Sequence, residues 1–411
     1  MAHLLMIESF IGGNAVILPQ LLKNLGYTYT FLTRNTKIYN SSYNDKEHVV
    51  IKNAKEIVEV DTNSLIDVLD AVLSMKFDGV ITTCDYYIDM VSDVAKALEL
   101  PCPFPKMVKN VRYKHKLRQF LDDLSNPEYA LAYEWQEVLR GANKIGYPVV
   151  LKPVDLASSA YVRLIQNQSE LKEAYDQLAA FSINWRDQKR NCTYLLEAYM
   201  DGNEVSVEAI TYDGQTTIVG VTQKKLIGAP YFIEDGHMFP AALSQDLEKE
   251  IFEHVIKALE ATEYNHGVSH TELKLTSKGP KIVEINPRCP GGHIVEIIEL
   301  VNRIDMLKAF VTLSIGKKPE IKSVKTEITS ACVQFLTPPR GGKVIGIEGM
   351  ETLKNDKNIV SYQIENCIGK TLGDPIDNAG RIGRIITSDT KGYAAMRYAN
   401  EAIERIKLIF E

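Results

Sequence analysis

At 411 residues the chain exceeds what one hydrophobic core usually supports, and a rough figure of 100 to 200 residues per domain predicts two to three domains. Its 45% hydrophobic and 24% charged content is ordinary globular usage, whereas a net charge of −6, a pI near 5.9 and the lack of a basic tract argue against a nucleic-acid surface. The start Met1-Ala2-His3-Leu4-Leu5-Met6-Ile7-Glu8 lacks the basic flank of a signal peptide, and no apolar run is long enough for a bilayer, so a cytoplasmic setting with no membrane partner is expected.

In chain order, 4–8, Gly12-Gly13, an apolar-periodic 15–25 and 27–32 make a βαβ opening. A second unit runs from Leu65 through Phe77-Asp78-Gly79-Val80-Ile81-Thr82-Thr83 to a helix over 90–98. Strands alternating with helices imply a parallel sheet. Gly12-Gly13 reads as a tight turn, because the Gly-x-Gly-x-x-Gly of dinucleotide binding is absent. Pro101-Cys102-Pro103-Phe104-Pro105 reads as a rigid linker closing a first α/β domain at 1–105. A central region is expected over 106–315, with a subdomain at about 106–190. A smaller strand-rich domain over 316–411 carries the Pro/Gly turns at 337–344 and 379–384 and is expected to end in a helix over 393–410. Cys84, Cys102, Cys192, Cys289, Cys332 and Cys367 are dispersed without a Cys-x-x-Cys pair, as reduced thiols would be. Cys289 adjoins Arg288 but has no base placed by sequence, so it is not read as a nucleophile.

The central region concentrates the chemistry. Arg112-Tyr113-Lys114-His115-Lys116-Leu117-Arg118 reads as a cationic helix face. Ile145-Gly146-Tyr147-Pro148-Val149-Val150-Leu151-Lys152-Pro153 is a turn feeding an apolar strand that ends in a lysine, and a phosphate is a good partner for a lysine held there. The loop at 155–162, with Ser158 and Ser159, offers N–H groups and hydroxyls to phosphates, although it contains no glycine. A strand, a Gly turn and a second strand cover 194–208. The stretch 222–240 reads as a long loop dense in polar and aromatic groups, a kind that is often functional.

Near residue 270 two alternating stretches flank Ser277-Lys278-Gly279. A three-residue hairpin loop with Gly279 left-handed sets Glu272 opposite Glu284, with Asn286 on the same face. Facing carboxylates with Cβ atoms about 5 Å apart repel each other, so such a hairpin is destabilised unless a cation lies between them. Magnesium, a hard ion that commonly binds one or two carboxylates plus substrate phosphates, is the natural candidate. Arg288, just beyond the strand and followed by Gly291-Gly292, supplies a planar cation for a phosphate or carboxylate.

On these motifs the chain resembles the ATP-grasp family. The resemblance implies an α/β (α+β) ATP-grasp fold with an N-terminal Rossmann-like domain and a small C-terminal strand-rich domain. It makes Glu272, Glu284 and Asn286 the magnesium ligands, with manganese as a substitute, and Arg288 the arginine near the transferred phosphate. Lys114 and Lys152 become ATP ligands with Ser158 and Ser159, although Tyr113 replaces the family's aspartate. Glu197 then accepts from the adenine amine, the backbone of Ala198 and Met200 meets the ring edge, and Glu204 holds the ribose. The family chemistry is acyl-phosphate formation followed by displacement of phosphate by an amine or thiol.

Within 222–240, Glu234 and His237 resemble the Glu-x-x-His of bacterial L-amino-acid ligases of the bacilysin type. There the carboxylate holds an α-ammonium and the histidine lies by the reacting carboxylate; Arg288, with Gly291 and Gly292, joins the substrate-binding set. The reading is therefore a carboxylate–amine ligase with small-molecule partners and room for a homodimer. Two alternatives stay open: delivery of the acyl group to a carrier-protein thiol or antibiotic-pathway scaffold, and a non-catalytic ATP-binding subunit.

Overall fold

The computed structural model describes residues 1–41, 47–123, 125–227 and 230–411. Four parallel strands, β1 (His3–Ile7), β2 (Thr28–Thr33), β3 (Glu56–Glu59) and β4 (Gly79–Ile81), pair in the order β3-β2-β1-β4. Helices on both faces bury β1, which is why Leu4-Leu5-Met6-Ile7 is a continuous apolar run and not an alternating one. The strands deliver Glu8, Arg34 and Asp85 to their carboxyl ends. Gly13, at φ 59°, caps the helix Asn14–Asn24, as the tight-turn reading expects.

A second, small sheet takes residues 129–198 and so reaches beyond 190. It holds β5 (Tyr129–Ala132), β6 (Val149–Pro153), β7 (Arg163–Ile165) and β8 (Tyr194–Ala198) in the order β5-β8-β6-β7. Helices Trp135–Ile145 and Gln168–Ala180 cover it through Val138, Ala142, Leu171 and Leu178.

The third sheet carries the site. Its strands β9 (Asn203–Tyr212), β10 (Gln215–Ile227), β11 (Ile233–Phe239), β12 (Gly267–Thr276), β13 (Gly279–Asn286), β14 (Ser330–Leu336), β16 (Ile359–Ile364) and β18 (Gly383–Asp389) run in the order β13-β12-β9-β10-β11-β14-β18-β16. The strands expected to form a separate C-terminal domain thus extend the central sheet through the β11–β14 pairing. A remaining three-stranded sheet joins β15 (Gly342–Glu348), β17 (Thr371–Leu372) and β19 (Lys407–Phe410). The helix expected over 393–410 is shorter, Ala395–Glu404, and its last residues turn into β19. Helices Ile294–Asn302 and Met306–Ser314 share one core with β1, β2 and β4, a cluster that holds Ile297 and Phe310 together with Leu5, Phe31 and Val80, so the N-terminal sheet is pinned beside the end of β13. Among the described residues no helix is long and apolar enough to cross a membrane.

Candidate active site

Two strands and their turn set the register of the acidic hairpin. Thr276 pairs with Gly279 (φ 96°), so the loop is the two residues Ser277 and Lys278, one fewer than the sequence reading expects. A bulge at Val283, between the Leu273–Ile282 and Glu272–Glu284 pairs, restores the missing residue. Glu272 therefore faces Glu284, and His270 faces Asn286.

The repulsion between these carboxylates is met by protein cations. Lys114 Nζ lies 2.8 Å from Glu284 Oε2, and Lys224 Nζ lies 2.8 Å from Glu272 Oε1. His270 bridges Glu208 Oε2 at 2.8 Å and Glu272 Oε1 at 3.0 Å. Burial opposes ionisation of Glu284, but Lys114 beside it holds its carboxyl well below the usual range; at Glu272, Lys224 has the same effect against burial and Glu284. Burial likewise disfavours a charged His270, yet Glu208 and Glu272 bring it up to about 9. Asn286 spends the nitrogen end of its amide on Glu284 Oε1 at 2.8 Å, so the oxygen end is the one that could ligate a cation. Among the described residues no three His, Cys, Asp or Glu side chains form a metal cluster, so the hairpin reaches three oxygen-bearing residues only by including Asn286. Two ionised carboxylates and an amide oxygen suit a hard divalent ion, and none of them suits a soft one.

A cleft opens between the hairpin and the small sheet, lined by Lys114, Lys152, Met200, Glu204, Lys224 and Glu272 among others. Lys152 is buried at the end of β6, with Nζ 2.6 Å from Glu197; the other oxygen of that carboxylate accepts from Arg118 Nε at 2.6 Å. Burial lowers the Lys152 pKa despite Glu197. Glu197, expected to accept from the adenine amine, instead has both its oxygens engaged by cations. Arg118, expected on a cationic helix face, also donates to the Val283 carbonyl at 2.8 Å and so ties the bulge to β8. At the end of β8 the Ala198 N–H donates to the Glu128 carbonyl at 2.8 Å, so only the carbonyl side of Ala198 remains for a ring edge. Glu204 is held by Lys224 at 2.8 Å and Lys274 at 3.3 Å.

The loop after β6 answers its lack of glycine by strain. Ser158, Ser159 and Tyr161 all take left-handed φ, 60°, 58° and 59°, a conformation that costs an L-residue about 1–2 kcal/mol and glycine almost nothing. Lys114 Nζ donates to the Leu156 carbonyl at 3.1 Å as well as pairing with Glu284, linking this loop to the hairpin.

The stretch 222–240, expected as a loop, is instead the β10–β11 hairpin; Gly228 and Ala229 within it lie outside the described residues. In a regular strand Glu234 and His237 would fall on opposite faces. Asp235 is an extra residue between the Leu226–Glu234 and Lys225–Gly236 pairs, and this bulge returns both side chains to one face. His237 pairs across the ladder with Lys224, whose buried Nζ also lies 3.1 Å from Glu234. Lys224 therefore joins Glu204, Glu234 and Glu272, and its pKa is raised well above the usual lysine value because their charges outweigh burial. Its signal in the sequence was its β-register with His237, hidden once the stretch was read as a loop.

His237 is buried, its Nδ1 has no hydrogen-bond partner, and burial pushes its pKa down to about 3. A Cβ on Gly292 (φ 57°) would stand 2.6 Å from His237 Nε2, so only glycine fits there; Gly291 faces open space. Arg288 donates from Nε to Asp85 Oδ1 at 2.6 Å and from Nη1 to the Cys289 carbonyl at 3.2 Å. Asp85, just beyond the end of β4, is thus the contribution of the N-terminal sheet, and sequence reasoning missed it because it lies 203 residues away. Burial pushes the Cys289 thiol well up, consistent with its exclusion as a nucleophile.

Residues 145–297 match the ATP-grasp domain, and residues 334–411 match the L-amino acid ligase C-terminal domain 2. The chain is 25% identical over 357 residues to an uncharacterized protein, y4rH, of Sinorhizobium fredii, covering 85% of this chain and 73% of that one. It is 25% identical over 267 residues to alanine–anticapsin ligase of Bacillus amyloliquefaciens, covering 59% of this chain and 55% of that one, so it spans about half the length of that enzyme. The crystal structure of an L-amino acid ligase from Bacillus licheniformis superposes with a TM-score of 0.80 at 20% identity, over 100% of this chain and 99% of that one, a likeness of fold. The chain thus carries an ATP-grasp domain over 145–297, followed by an L-amino acid ligase C-terminal domain 2 over 334–411.

Proposed function

We propose that the protein is an ADP-forming ligase that activates an amino-acid carboxylate as an acyl phosphate and joins it to the amine of a second amino acid. The observation that carries this reading is Lys224, one ammonium within 3.1 Å of residues assigned to ribose (Glu204), metal (Glu272) and amino acid (Glu234). A nucleotide, a metal ion and an amino-acid substrate would meet around it.

In this reading Glu272, Glu284 and Asn286 would hold magnesium, which would supply positive charge to the nucleotide's phosphates. Lys114 and Lys152 hold the phosphates, and Arg288, kept in place by Asp85, faces the transferred group. Phosphoryl transfer needs mainly positioning and charge neutralisation, and no covalent enzyme nucleophile. A carboxylate oxygen bonds the γ-phosphorus as the bridging bond to ADP breaks. The second substrate's amine then attacks the acyl carbon, the carbon–oxygen bond to phosphate breaks with its electron pair leaving on phosphate, and the amine sheds a proton. Glu234 holds a substrate ammonium, and His237, neutral near pH 7, serves as a hydrogen-bonding partner and not as a cation.

His237→Gln is expected to depress turnover or affinity for the carboxylate substrate while leaving the ATP Michaelis constant in place, and no limb of the pH–rate profile near neutrality should depend on it. Because burial sets the folded pKa below the unfolded value, native protein binds fewer protons than unfolded chain, and stability is lost as pH falls from about 6.5 toward 3. Wild type should therefore lose more melting temperature than His237→Gln between pH 7 and pH 5; equal losses would contradict the neutral assignment.

The reading is tested by incubating the protein with ATP, magnesium and pairs of the twenty common amino acids. ADP and phosphate, without AMP, and a free dipeptide for at least one pair are expected. A hydroxamate with hydroxylamine but never a dipeptide would transfer the acyl group to another acceptor, and no nucleotide hydrolysis with any pair would leave a binding module.

A further inference from the structure

The C-terminal part of the sheet brings to the Glu234–His237 face one cation that the mechanism above does not use. Arg381 follows the short turn Asn378–Gly380. Its Nε donates to the Asn378 carbonyl at 2.8 Å, and its guanidinium lies 4.1 Å over the Phe335 ring. Nη2 is 3.6 Å from Glu234 Oε2, beyond hydrogen-bond length, and Nη1 is buried without a partner.

Neutralising Glu234 does not account for Arg381. Glu234 already has Lys224 at 3.1 Å. Asn378 fixes it independently, accepting from the Glu234 N–H and donating to Oε2, each at 3.0 Å. The other acids near Arg381 are engaged elsewhere: Asp235 pairs with Lys225 at 2.6 Å, and Asp377 accepts from the Ala379 N–H at 2.8 Å. With the ring fixing the guanidinium plane and Nε occupied, the Nη1–Nη2 edge is the unused part, and that planar edge matches a carboxylate. A buried charged donor with no acceptor is a standing cost that a ligand oxygen would remove.

We propose that Arg381 binds the α-carboxylate of the acceptor, so that the enzyme selects an α-amino acid over a simple amine. The proposal rests on the ligase reading and assigns its second substrate. An α-amino acid carries its amine two bonds from its carboxylate carbon. A carboxylate on the Nη1–Nη2 edge therefore brings the amine beside Glu234 Oε2, on the face shared with Lys224. A cation just before β18 and a carboxylate from β11 then hold the carboxylate and the amine of one α-amino acid, which explains why one turn anchors both Glu234 and Arg381.

The test compares wild type, Arg381→Gln and Arg381→Lys, with each of the twenty amino acids as acceptor, the carboxamide of every one that reacts, and hydroxylamine as an acceptor without a carboxylate. Arg381→Gln should raise the acceptor Michaelis constant roughly 10- to 100-fold, the loss expected for a charged hydrogen-bonded pair, and abolish the preference for acid over amide. Hydroxamate formation and the ATP constant should stay within about twofold, and Arg381→Lys should keep part of the preference. An unchanged preference in Arg381→Gln would overturn the assignment, as would a parallel fall in hydroxamate formation, which marks a structural role. Hydroxamate but no dipeptide from wild type overturns it too, whereas neither product from wild type removes the ligase reading and the assignment with it.

Discussion

Glu284→Gln should lower turnover by about 100- to 1,000-fold, the usual effect of removing one preorganised electrostatic contact from a reacting centre. The stability of the protein without nucleotide or metal separates two physical accounts of the hairpin. If Glu272 and Glu284 simply repel each other, deleting one charge relieves the repulsion and the melting temperature holds or rises. The structure gives the opposite sign, because Glu284 is the counter-ion of Lys114 at 2.8 Å. Neutralising it leaves a largely buried ammonium with an amide oxygen and the Leu156 carbonyl, a loss of about 1 kcal/mol. A lower melting temperature together with lost activity is expected. Activity above a tenth of wild type would contradict the metal assignment, and an unchanged or raised melting temperature would contradict the role given to Lys114.

Lys224→Met should have the larger effect on the fold. It removes the ammonium from among Glu204, Glu234 and Glu272 and leaves three carboxylates around an apolar side chain. Breaking a buried ion pair from one side costs on the order of 3–5 kcal/mol, and the lower end applies here because the carboxylates border the open cleft. Turnover should be lost with it. Magnesium discriminates this from mere misfolding: a divalent ion at Glu272 and Glu284 replaces part of the missing positive charge. Measured at pH 8 in chelator and then in excess magnesium, the variant should regain more melting temperature than wild type gains. No loss of stability in chelator, or no differential recovery, would contradict Lys224 as the shared counter-ion.

These cases show which parts of the site were legible in the sequence. The Glu272–Glu284 pairing was readable because strand periodicity is local, and it survived a wrong loop length because the Val283 bulge compensated for the two-residue turn. The small sheet's Lys152 and Glu197 were found by their order along the chain, but their mutual salt bridge, with Arg118 as the third member, depends on antiparallel pairing of β6 with β8. The β10–β11 hairpin was lost because Pro230, the left-handed Phe232 and the Asp235 bulge break the alternation that marks strands. With it went Lys224. Asp85 and Arg381 reach the site from sheets closed by long-range contacts, which no local pattern encodes. The same holds for the union of the C-terminal strands with the central sheet, since β11 meets β14 across roughly a hundred residues of chain.

Carboxylate oxygen provides the most direct measurement of the central claim. For an amino-acid pair that yields dipeptide, the donor is supplied with both carboxyl oxygens as ¹⁸O and the products are analysed by mass spectrometry. Activation as an acyl phosphate requires one labelled oxygen per turnover in the released phosphate and one retained in the new amide carbonyl, with ADP unlabelled. Phosphate without label, or label in AMP, would contradict the mechanism.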